Sequence, residues 1–240
     1  MGDTKLTFKR YEKKYLLSAE QYAKLREGLE GRIVPDLYFQ RTVCSVYYDD
    51  DSYALIRHSL DRPVYKEKLR LRSYNVPGAQ DPVFVELKKK FRGVVYKRRT
   101  EAPAAEAEAW LAGRRGAPED TQITREIDYF LQSHTLSPKA FIACDRTAWV
   151  GAEEAELRIT FDARLRWRDY DLSLTAGSDG EPLTEPGQVL MEIKLPGAAP
   201  LWLARLLSEL ELFPRSYSKY GACYRNELFE KYFNGVISFV

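Results

Sequence analysis

Cations occupy every second position from residue 66 to residue 72, within the short segment 64–74. They are Lys66, Lys68, Arg70 and Arg72. Leu69 and Leu71 lie between them. Because successive side chains of a β-strand point to opposite faces, this alternation predicts a strand with one apolar face and one cationic face. Like charges on one face repel each other, so the strand requires interleaved carboxylates or a bound polyanion.

The same alternation recurs in five other predicted strands. Their polar positions hold Arg10, Glu12 and Lys14; Glu86, Lys88 and Lys90; Lys97 and Arg99; Arg158, Thr160, Asp162 and Arg164; and Glu192 and Lys194. An ordinary sheet with one solvated face explains any single strand. Six such strands, with few Ser, Thr or Gln at the polar positions, favour a barrel whose charged faces surround a ligand and whose apolar faces lie under helices.

So many cations indicate a ligand of high negative charge, such as a chain of phosphates. Arginine forms bidentate hydrogen bonds with phosphate oxygens, and lysine supplies a mobile point charge. Glutamates among the cations indicate a divalent metal that bridges phosphate and protein, because Mg²⁺ and Mn²⁺ take oxygen ligands. The sequence has neither a P-loop nor a GxGxxG motif, so side chains would hold the phosphates.

The composition excludes several classes of protein. The 37 Lys and Arg are nearly matched by 35 Asp and Glu, which argues against a protein that coats nucleic acid. Cys44, Cys144 and Cys223 are widely spaced and odd in number, which indicates reduced thiols. Residues 1–14 show no signal peptide. We expect a cytoplasmic protein with a single domain over residues 1–240.

Two segments contain signals for the start of a helix. Ser18 is predicted to be an N-cap, with Gln21 at the spacing of a capping box. The three aspartates at 49–51 are compatible with a metal cluster. They precede a predicted helix over 52–60, where carboxylates accept hydrogen bonds from exposed N–H groups, so capping is the favoured interpretation.

Seven motifs together resemble the VTC domain, the polyphosphate polymerase module of the vacuolar transporter chaperone complex. They are Arg10-x-Glu12-x-Lys14, Lys68-x-Arg70-x-Arg72, Glu86-x-Lys88, Arg146 in its strand, Arg158-x-x-x-Asp162, Glu192-x-Lys194 and Ser218-Lys219-Tyr220. The resemblance extends from about Lys5 to Tyr232. The VTC domain belongs to the triphosphate tunnel metalloenzymes of the CYTH-like superfamily.

The resemblance implies an α+β fold, with an eight-stranded antiparallel β-barrel that forms a triphosphate tunnel and helices packed on its outside. It implies transfer of the γ-phosphate of ATP to a growing polyphosphate chain. The implied catalytic residues are Lys14, Arg70, Arg72, Lys88, Arg146 and Lys219. Further phosphate contacts are implied for Arg10, Lys66, Lys68, Lys97, Arg99, Arg158 and Lys194. Glu192 would bind Mn²⁺ or Mg²⁺, with Glu12 and Glu86 as further candidate ligands.

Two alternatives remain open at this stage. The first is a tripolyphosphatase or nucleoside triphosphatase of the same fold, and the second is a polyphosphate-binding module without catalysis. Arg10 precedes Glu12, where tunnel triphosphatases carry an alternating glutamate series, and this favours the VTC type. The expected ligands are ATP and inorganic polyphosphate or triphosphate, without nucleic acid. A membrane-protein partner would lie outside this chain.

Overall fold

The computed structural model describes residues 11–92 and 94–233. Within them the strands are β1 (Tyr11–Leu17), β2 (Ile33–Asp49), β3 (Tyr65–Tyr74), β4 (Pro82–Phe91), β5 (Val94–Pro103), β6 (Ser137–Gly151), β7 (Arg158–Arg168), β8 (Glu181–Pro182) and β9 (Val189–Leu195). The helices are α1 (Ala19–Gly28), α2 (Ala54–Leu60), α3 (Ala104–Leu111), α4 (Gln122–Ser133), α5 (Leu201–Glu209), α6 (Lys219–Cys223) and α7 (Phe229–Phe233), with a π-helical turn at Tyr224–Leu228.

The strands follow the hydrogen-bonded order β1-β9-β7-β6-β2-β3-β4-β5, and β8 pairs with β7. Neighbouring strands are antiparallel in the two series β1-β9-β7-β8 and β2-β3-β4-β5. The fold is α+β, as predicted, and the main path contains the eight predicted strands. The two-residue β8 lies in a segment predicted to be a loop.

The chain divides into two compact units. Unit 1 consists of the described residues within 1–41, 145–164 and 184–217. Unit 2 consists of those within 42–144, 165–183 and 218–240. Three of the five boundaries between the units fall inside β2, β6 and β7. The single domain expected from the sequence stays a prediction.

The core of unit 1 lies between helices and one face of β1, β9 and β7. Its strand residues include Tyr15, Leu17, Ile159, Phe161, Met191 and Ile193, and its helical residues include Leu25 and Leu203. Helix α1 begins after Ser18, whose hydroxyl accepts a hydrogen bond from N–H of Gln21 at 3.1 Å. The Gln21 side chain accepts from N–H of Ser18 at 3.0 Å, so the predicted capping box is confirmed.

The core of unit 2 lies under α3 and α4. Its members include Leu69, Leu71, Val85, Leu87, Trp110, Ile127, Phe130 and Phe141. Leu69 and Leu87 are directly opposite each other, and both are fully buried. Burial of each such side chain stabilises the fold by about 1.5–3 kcal/mol. The predicted apolar face of β3 and β4 therefore positions the opposite, charged face.

The aspartates after β2 cap helix α2. Asp49 accepts hydrogen bonds from N–H of Leu55 at 2.9 Å and of Ile56 at 3.0 Å. Oδ1 of Asp50 accepts from N–H of Ala54 at 3.0 Å. Capping is confirmed for Asp49 and Asp50, because these carboxylates satisfy N–H groups that lack partners at a helix start. Asp51 instead accepts a hydrogen bond from Nζ of Lys139 at 2.5 Å.

The remaining structural expectations concern the cysteines and membrane spans. Cys44, Cys144 and Cys223 are buried free thiols, as predicted. Among the helices of the described residues, none combines the length and the apolar character that crossing a bilayer requires.

Candidate functional site

Glu86 on β4 is the centre of a group of basic side chains in unit 2, which we call the Glu86 cluster. Its cations are Arg70, Arg72, Lys97 and Arg99. Glu86 lies directly opposite Arg70 on β3 and Arg99 on β5, and it is 1% exposed. Nε of Arg70 donates to Oε2 of Glu86 at 2.6 Å, and Nε of Arg99 lies 3.2 Å from Oε1. One buried carboxylate thus holds four cations.

The cations of this cluster keep Glu86 ionised. Burial alone would raise the pKa of Glu86, but Arg70, Arg72 and Lys97 lower it to about 2. Burial also disfavours the charged form of Arg70, yet Tyr47 and Glu86 raise the pKa of that guanidinium above its ordinary value. The cluster therefore carries a net positive charge at neutral pH.

Lysines continue the same face of β3, β4 and β5 in two lines that we call the lysine rows. In the first row, Lys68, Lys88 and Lys97 lie directly opposite one another on the three strands. In the second row, Lys66 lies directly opposite Lys90. Burial, with Lys90 and Arg62, lowers the pKa of Lys66. Like charges placed opposite each other destabilise a sheet, and a bound anion would relieve this repulsion.

Tyr47 on β2 is a member of this region that the sequence analysis did not identify. Its phenol oxygen accepts a hydrogen bond from Nη1 of Arg70 at 3.4 Å, and its ring stacks on Tyr220 with centroids 4.7 Å apart. Burial alone would raise the pKa of Tyr47, but Arg70 and Arg72 hold it below its ordinary value. Residues 42–48 of β2 contain no charged side chain, so the alternation of charges gives no signal for Tyr47.

Lys219 begins the short helix α6, directly after Ser218. The hydroxyl of Ser218 accepts hydrogen bonds from N–H of Gly221 at 3.2 Å and from Nζ of Lys68 at 2.9 Å. Nζ of Lys219 lies 3.3 Å from Sγ of Cys144, as a donor to the sulfur. The N-cap of α6 therefore fixes Lys219 and also contacts a member of the first lysine row.

Glu192 on β9 is the centre of a second group, in unit 1, which we call the Glu192 cluster. Its members are Glu12, Lys14, Thr160, Glu192 and Lys194. Oε1 of Glu192 lies 3.1 Å from Nζ of Lys14, and Oε2 lies 3.5 Å from Nζ of Lys194. Nζ of Lys14 also lies 3.2 Å from Oε1 of Glu12. Burial opposes the charged form, but Glu192 and Glu12 raise the pKa of Lys14 above its ordinary value.

Thr160 lies on β7, directly opposite Glu192. Its hydroxyl oxygen is buried and has no hydrogen-bond partner among the residues that the structure describes. A buried polar group without a partner costs about 1–3 kcal/mol, so such groups often mark a site that a ligand or ion completes.

Arg146 and Arg158 have different surroundings although both were predicted to bind phosphate. Nε and Nη2 of Arg146 donate to Oδ1 and Oδ2 of the fully buried Asp162 at 2.6 and 2.7 Å. This bidentate pair fixes the guanidinium, and no role had been predicted for Asp162. The Arg158 side chain is 56% exposed, and its Nη1 lies 3.9 Å from Oδ2 of Asp36.

The family model of the VTC domain matches residues 9–227. The chain belongs to the VTC domain family. Among solved structures, it is similar to a candidate adenylyl cyclase from Hippeastrum, which is described as having a dominant triphosphatase activity. The identity is 16% and the TM-score is 0.56, and the match covers 91% of this chain and 96% of that one. A candidate adenylate cyclase from Bacillus halodurans matches at 13% identity and a TM-score of 0.54, over 92% of this chain and 96% of that one.

These two similarities show that this VTC domain shares the fold of the two solved structures. The comparison with curated proteins found no match.

The structure distributes the predicted site residues of this VTC domain between the two units. Unit 2 contains Lys66, Lys68, Arg70, Arg72, Glu86, Lys88, Lys97, Arg99 and Lys219, and unit 1 contains Glu12, Lys14, Arg146, Arg158, Glu192 and Lys194. Within each unit most of them share the charged strand face. Arg10 lies outside the described residues.

The predicted metal ligands differ in how well they fit a divalent cation. Four basic side chains surround Glu86, so a metal ion there would be repelled. Glu12 and Glu192 both approach Nζ of Lys14, and Thr160 adds an unpartnered hydroxyl. The described part of the chain contains no group of three or more His, Cys, Asp or Glu side chains that could hold a metal ion by itself. Glu12, Glu192 and Thr160 are oxygen donors, the ligand type that a divalent cation takes.

Proposed function

We propose that this VTC domain is a metal-dependent polyphosphate polymerase that transfers the γ-phosphate of ATP to a growing polyphosphate chain. The excess of cations in unit 2 carries the proposal. The Glu86 cluster offers one carboxylate to four cations, and the lysine rows place like charges opposite each other. Such an arrangement suits an extended anion with a negative charge on every unit, which is the chemistry of a phosphate chain.

Two of the arginines and two of the lysines that are implied as catalytic residues have complementary roles in this proposal. Glu86 holds Arg70 and Arg72, so their guanidinium groups need little reorganisation when charge develops on a phosphoryl group. Lys88 and Lys219 supply point charges that adjust to the position of the phosphate. Electrostatic stabilisation of this kind is the main requirement of phosphoryl transfer.

The transfer step needs no general base. The attacking oxygen belongs to the terminal phosphate of the chain, which is already ionised at neutral pH. It forms a bond to the γ-phosphorus as the bond from that phosphorus to the β,γ-bridging oxygen breaks, and ADP leaves with that electron pair. The residues Glu192, Glu12 and Thr160 would hold Mn²⁺ or Mg²⁺, which neutralises phosphate charge when bound.

A chain-growth assay tests the proposal. The purified chain is incubated with ATP and Mn²⁺, and the products are separated on a gel stained for polyphosphate while orthophosphate is measured. We expect long polyphosphate from the native chain and a loss on the order of 10²-fold or more for Lys219→Ala. Lys24→Ala is the matched control, because Lys24 pairs with Glu20 on the exposed face of α1. A native chain that makes no polymer contradicts the proposal.

Triphosphate hydrolysis is the second candidate function. The side chain of Glu12 is 36% exposed, so this carboxylate can contact a water molecule beside Lys14. A carboxylate in that position could activate water as the nucleophile. Orthophosphate release without chain growth, lost in Glu12→Gln, would identify the hydrolase. Tight binding of tripolyphosphate with neither product would identify a binding module.

A further inference from the structure

Exposed apolar side chains are concentrated at one end of β3, β4 and β5 in unit 2. We call this surface the hairpin tip, and its residues are Val64, Tyr65, Phe91, Arg92, Val94, Val95 and Tyr96. Apart from Arg92, they are 42–62% exposed. Tyr65, Phe91 and Val94 lie directly opposite one another on three strands, so they form a continuous apolar row. Contiguous exposed apolar surface of this kind marks an interaction site.

Basic side chains accompany the hairpin tip. Arg62, Lys90 and Arg92 form no ion pair with any residue in the described ranges. The guanidinium of Arg92 lies 5.3 Å from the ring centre of Phe91. Lys66 lies opposite Lys90, and its Nζ donates a hydrogen bond to the carbonyl oxygen of Ser59 at 2.8 Å. These four cations place positive charge near the tip, which suits an anionic partner.

Two carboxylates lie near the tip and do not neutralise it. Glu67 accepts a hydrogen bond from the hydroxyl of Tyr65 at 2.6 Å and lies 3.8 Å from Nζ of Lys89. Asp61 is exposed beside Arg62 in the sequence. Because Lys89 offsets Glu67 and Arg62 offsets Asp61, the remaining charge comes from Lys66, Lys90 and Arg92. The surface is therefore apolar with a net positive charge.

We propose that the hairpin tip binds the surface of an anionic lipid bilayer. The valine, tyrosine and phenylalanine side chains would enter the interfacial layer, while the basic side chains contact anionic headgroups. A second copy of the chain is a poorer occupant, because two identical tips would bring equal positive charges together. The proposal does not depend on the proposed function, since the apolar side chains of the tip and Arg92 belong to neither cluster and to neither lysine row; Lys66 and Lys90 of the second lysine row contribute charge to both surfaces.

Flotation of the full chain with lipid vesicles tests this proposal. One vesicle preparation contains phosphatidylcholine alone, and the other also contains phosphatidylserine. Tripolyphosphate is left out, because it would also occupy Lys66 and Lys90. Arg70→Ala is floated in parallel to measure any headgroup binding by the Glu86 cluster, and it should float like the native chain. We expect the native chain to float with the phosphatidylserine vesicles only, and to float less as the salt concentration rises.

Variants separate the apolar contribution from the charged one. The double variant Phe91→Ser with Val94→Ser should bind vesicles at least about tenfold more weakly. Arg92→Ala, which keeps the apolar row, should bind about fivefold more weakly. Leu37→Ser is the matched control, since Leu37 is 85% exposed on β2 in unit 1, and it should bind like the native chain. Melting temperature and tripolyphosphate affinity show that each variant is folded.

Several results would overturn the proposal. One is a native chain that does not float with phosphatidylserine vesicles, or that floats equally with both preparations. Another is a double variant that binds as well as the native chain. Self-association in sedimentation velocity that the double variant abolishes would identify a second copy as the occupant. If the native chain does not float but still makes polyphosphate, the membrane proposal is overturned and the proposed function stands.

Discussion

The Glu86 cluster and the Glu192 cluster use the same strand alternation but balance their charges differently. In unit 2, Glu86 is shared by four cations, and the lysine rows beside it contain no carboxylate. In unit 1, Glu12 and Glu192 offset Lys14 and Lys194. The first region therefore retains a net positive charge, whereas the charges of the second region balance one another.

This difference in charge balance arises from the pairing between strands more than from the composition of any one strand. The register places Glu192 opposite Lys14 in unit 1, and it places Lys88 opposite Lys68 in unit 2. Because the side chains of a strand alternate between faces, a shift of one residue in either pairing would exchange charged and apolar partners. The apolar cores thus fix the charge balance of the opposite face.

The largest effect is expected for Glu192→Gln, which keeps the shape of the side chain and removes its charge. If the Glu192 cluster holds the metal, turnover with Mn²⁺ should fall on the order of 10²–10³-fold, while tripolyphosphate still binds. Glu185→Gln, at an exposed position of unit 1, is the control. Turnover and calorimetric binding are measured for both variants. Normal turnover of Glu192→Gln would remove Glu192 as the metal ligand.

Arg70→Ala and Leu69→Ala test the two faces of β3. Arg70→Ala should weaken tripolyphosphate binding by about 2–5 kcal/mol, because it removes a cation from the Glu86 cluster. Its free energy of unfolding should fall by only about 1–2 kcal/mol, because Arg72, Lys97 and Arg99 still contact Glu86.

Leu69→Ala should do the reverse of Arg70→Ala. It should lower the free energy of unfolding by about 2–5 kcal/mol through a cavity in the core of unit 2, with little change in affinity. Denaturant unfolding and calorimetry of both variants make the comparison. The face assignment fails if the leucine variant loses binding and the arginine variant does not.

The sequence predicts which face of a strand is buried better than it predicts the partners on the other face. The alternation correctly assigned Leu69 and Leu71 to the core, since burial follows directly from strand geometry. It suggested that removing Arg70 would relieve repulsion. The hydrogen bonds from Arg70 to Glu86 and Tyr47 change that expectation. These partners depend on strand pairing, which a local pattern does not contain.

Two element boundaries show the same limit. The β-rich run of residues 42–48 predicts a strand there, but β2 begins at Ile33, because Pro35 and Asp36 weaken the strand signal and pairing with other strands overrides it. The sequence of residues 219–233 predicts one continuous helix. It is interrupted by the π-helical turn at 224–228, for which the helical periodicity gave no signal.

Acid should destabilise unit 2 through Glu86. Its pKa is about 2 in the folded chain and 4.5 ordinarily, so its ion pairs stabilise the fold above about pH 4.5. That stability, about 3 kcal/mol, is lost as the pH falls from 4.5 towards 2. The contribution of Lys14 depends on pH with the opposite sign. Because the pKa of Lys14 is raised in the folded chain, its contribution to stability is complete below pH 10.5 and is lost only above that pH. Unfolding free energies between pH 2 and 6 are measured.

Two variants assign the acid effect to Glu86. Glu86→Gln should be less stable than the native chain at neutral pH and should show a shallower loss between pH 4.5 and 2. Glu153→Gln, at an exposed position, should follow the native curve. Equal pH dependence for Glu86→Gln and the native chain would show that Glu86 has an ordinary pKa.

Salt should weaken the binding of tripolyphosphate, since unit 2 attracts the anion largely through its uncompensated cations. Raising the ionic strength from 0.01 to 0.1 M shortens the screening length from about 30 to about 10 Å. We expect at least about a tenfold loss of affinity over that range. Calorimetric titrations at several salt concentrations measure it. Affinity that does not change with salt would contradict a cationic binding surface in unit 2.

The smallest effect is expected for Thr160→Val in the Glu192 cluster. The hydroxyl of Thr160 is buried without a partner, so its removal should raise the free energy of unfolding by about 1 kcal/mol when no metal is bound. Thr147→Val is the matched control in the same unit, because Oγ1 of Thr147 accepts a hydrogen bond from Nε1 of Trp149 at 3.3 Å. That control should lose about 1 kcal/mol instead.

The same pair of variants also tests the metal site. If the hydroxyl of Thr160 contacts the bound ion or its water, Thr160→Val should require a higher Mn²⁺ concentration for half-maximal turnover, by about fivefold, and Thr147→Val should not. Denaturant unfolding without metal and Mn²⁺ titrations of turnover give the two readouts. A loss of stability in Thr160→Val, like that of the control, would mean that the hydroxyl is already hydrogen-bonded in solution. The Glu192 cluster would then supply two carboxylates to the metal, without a third oxygen from β7.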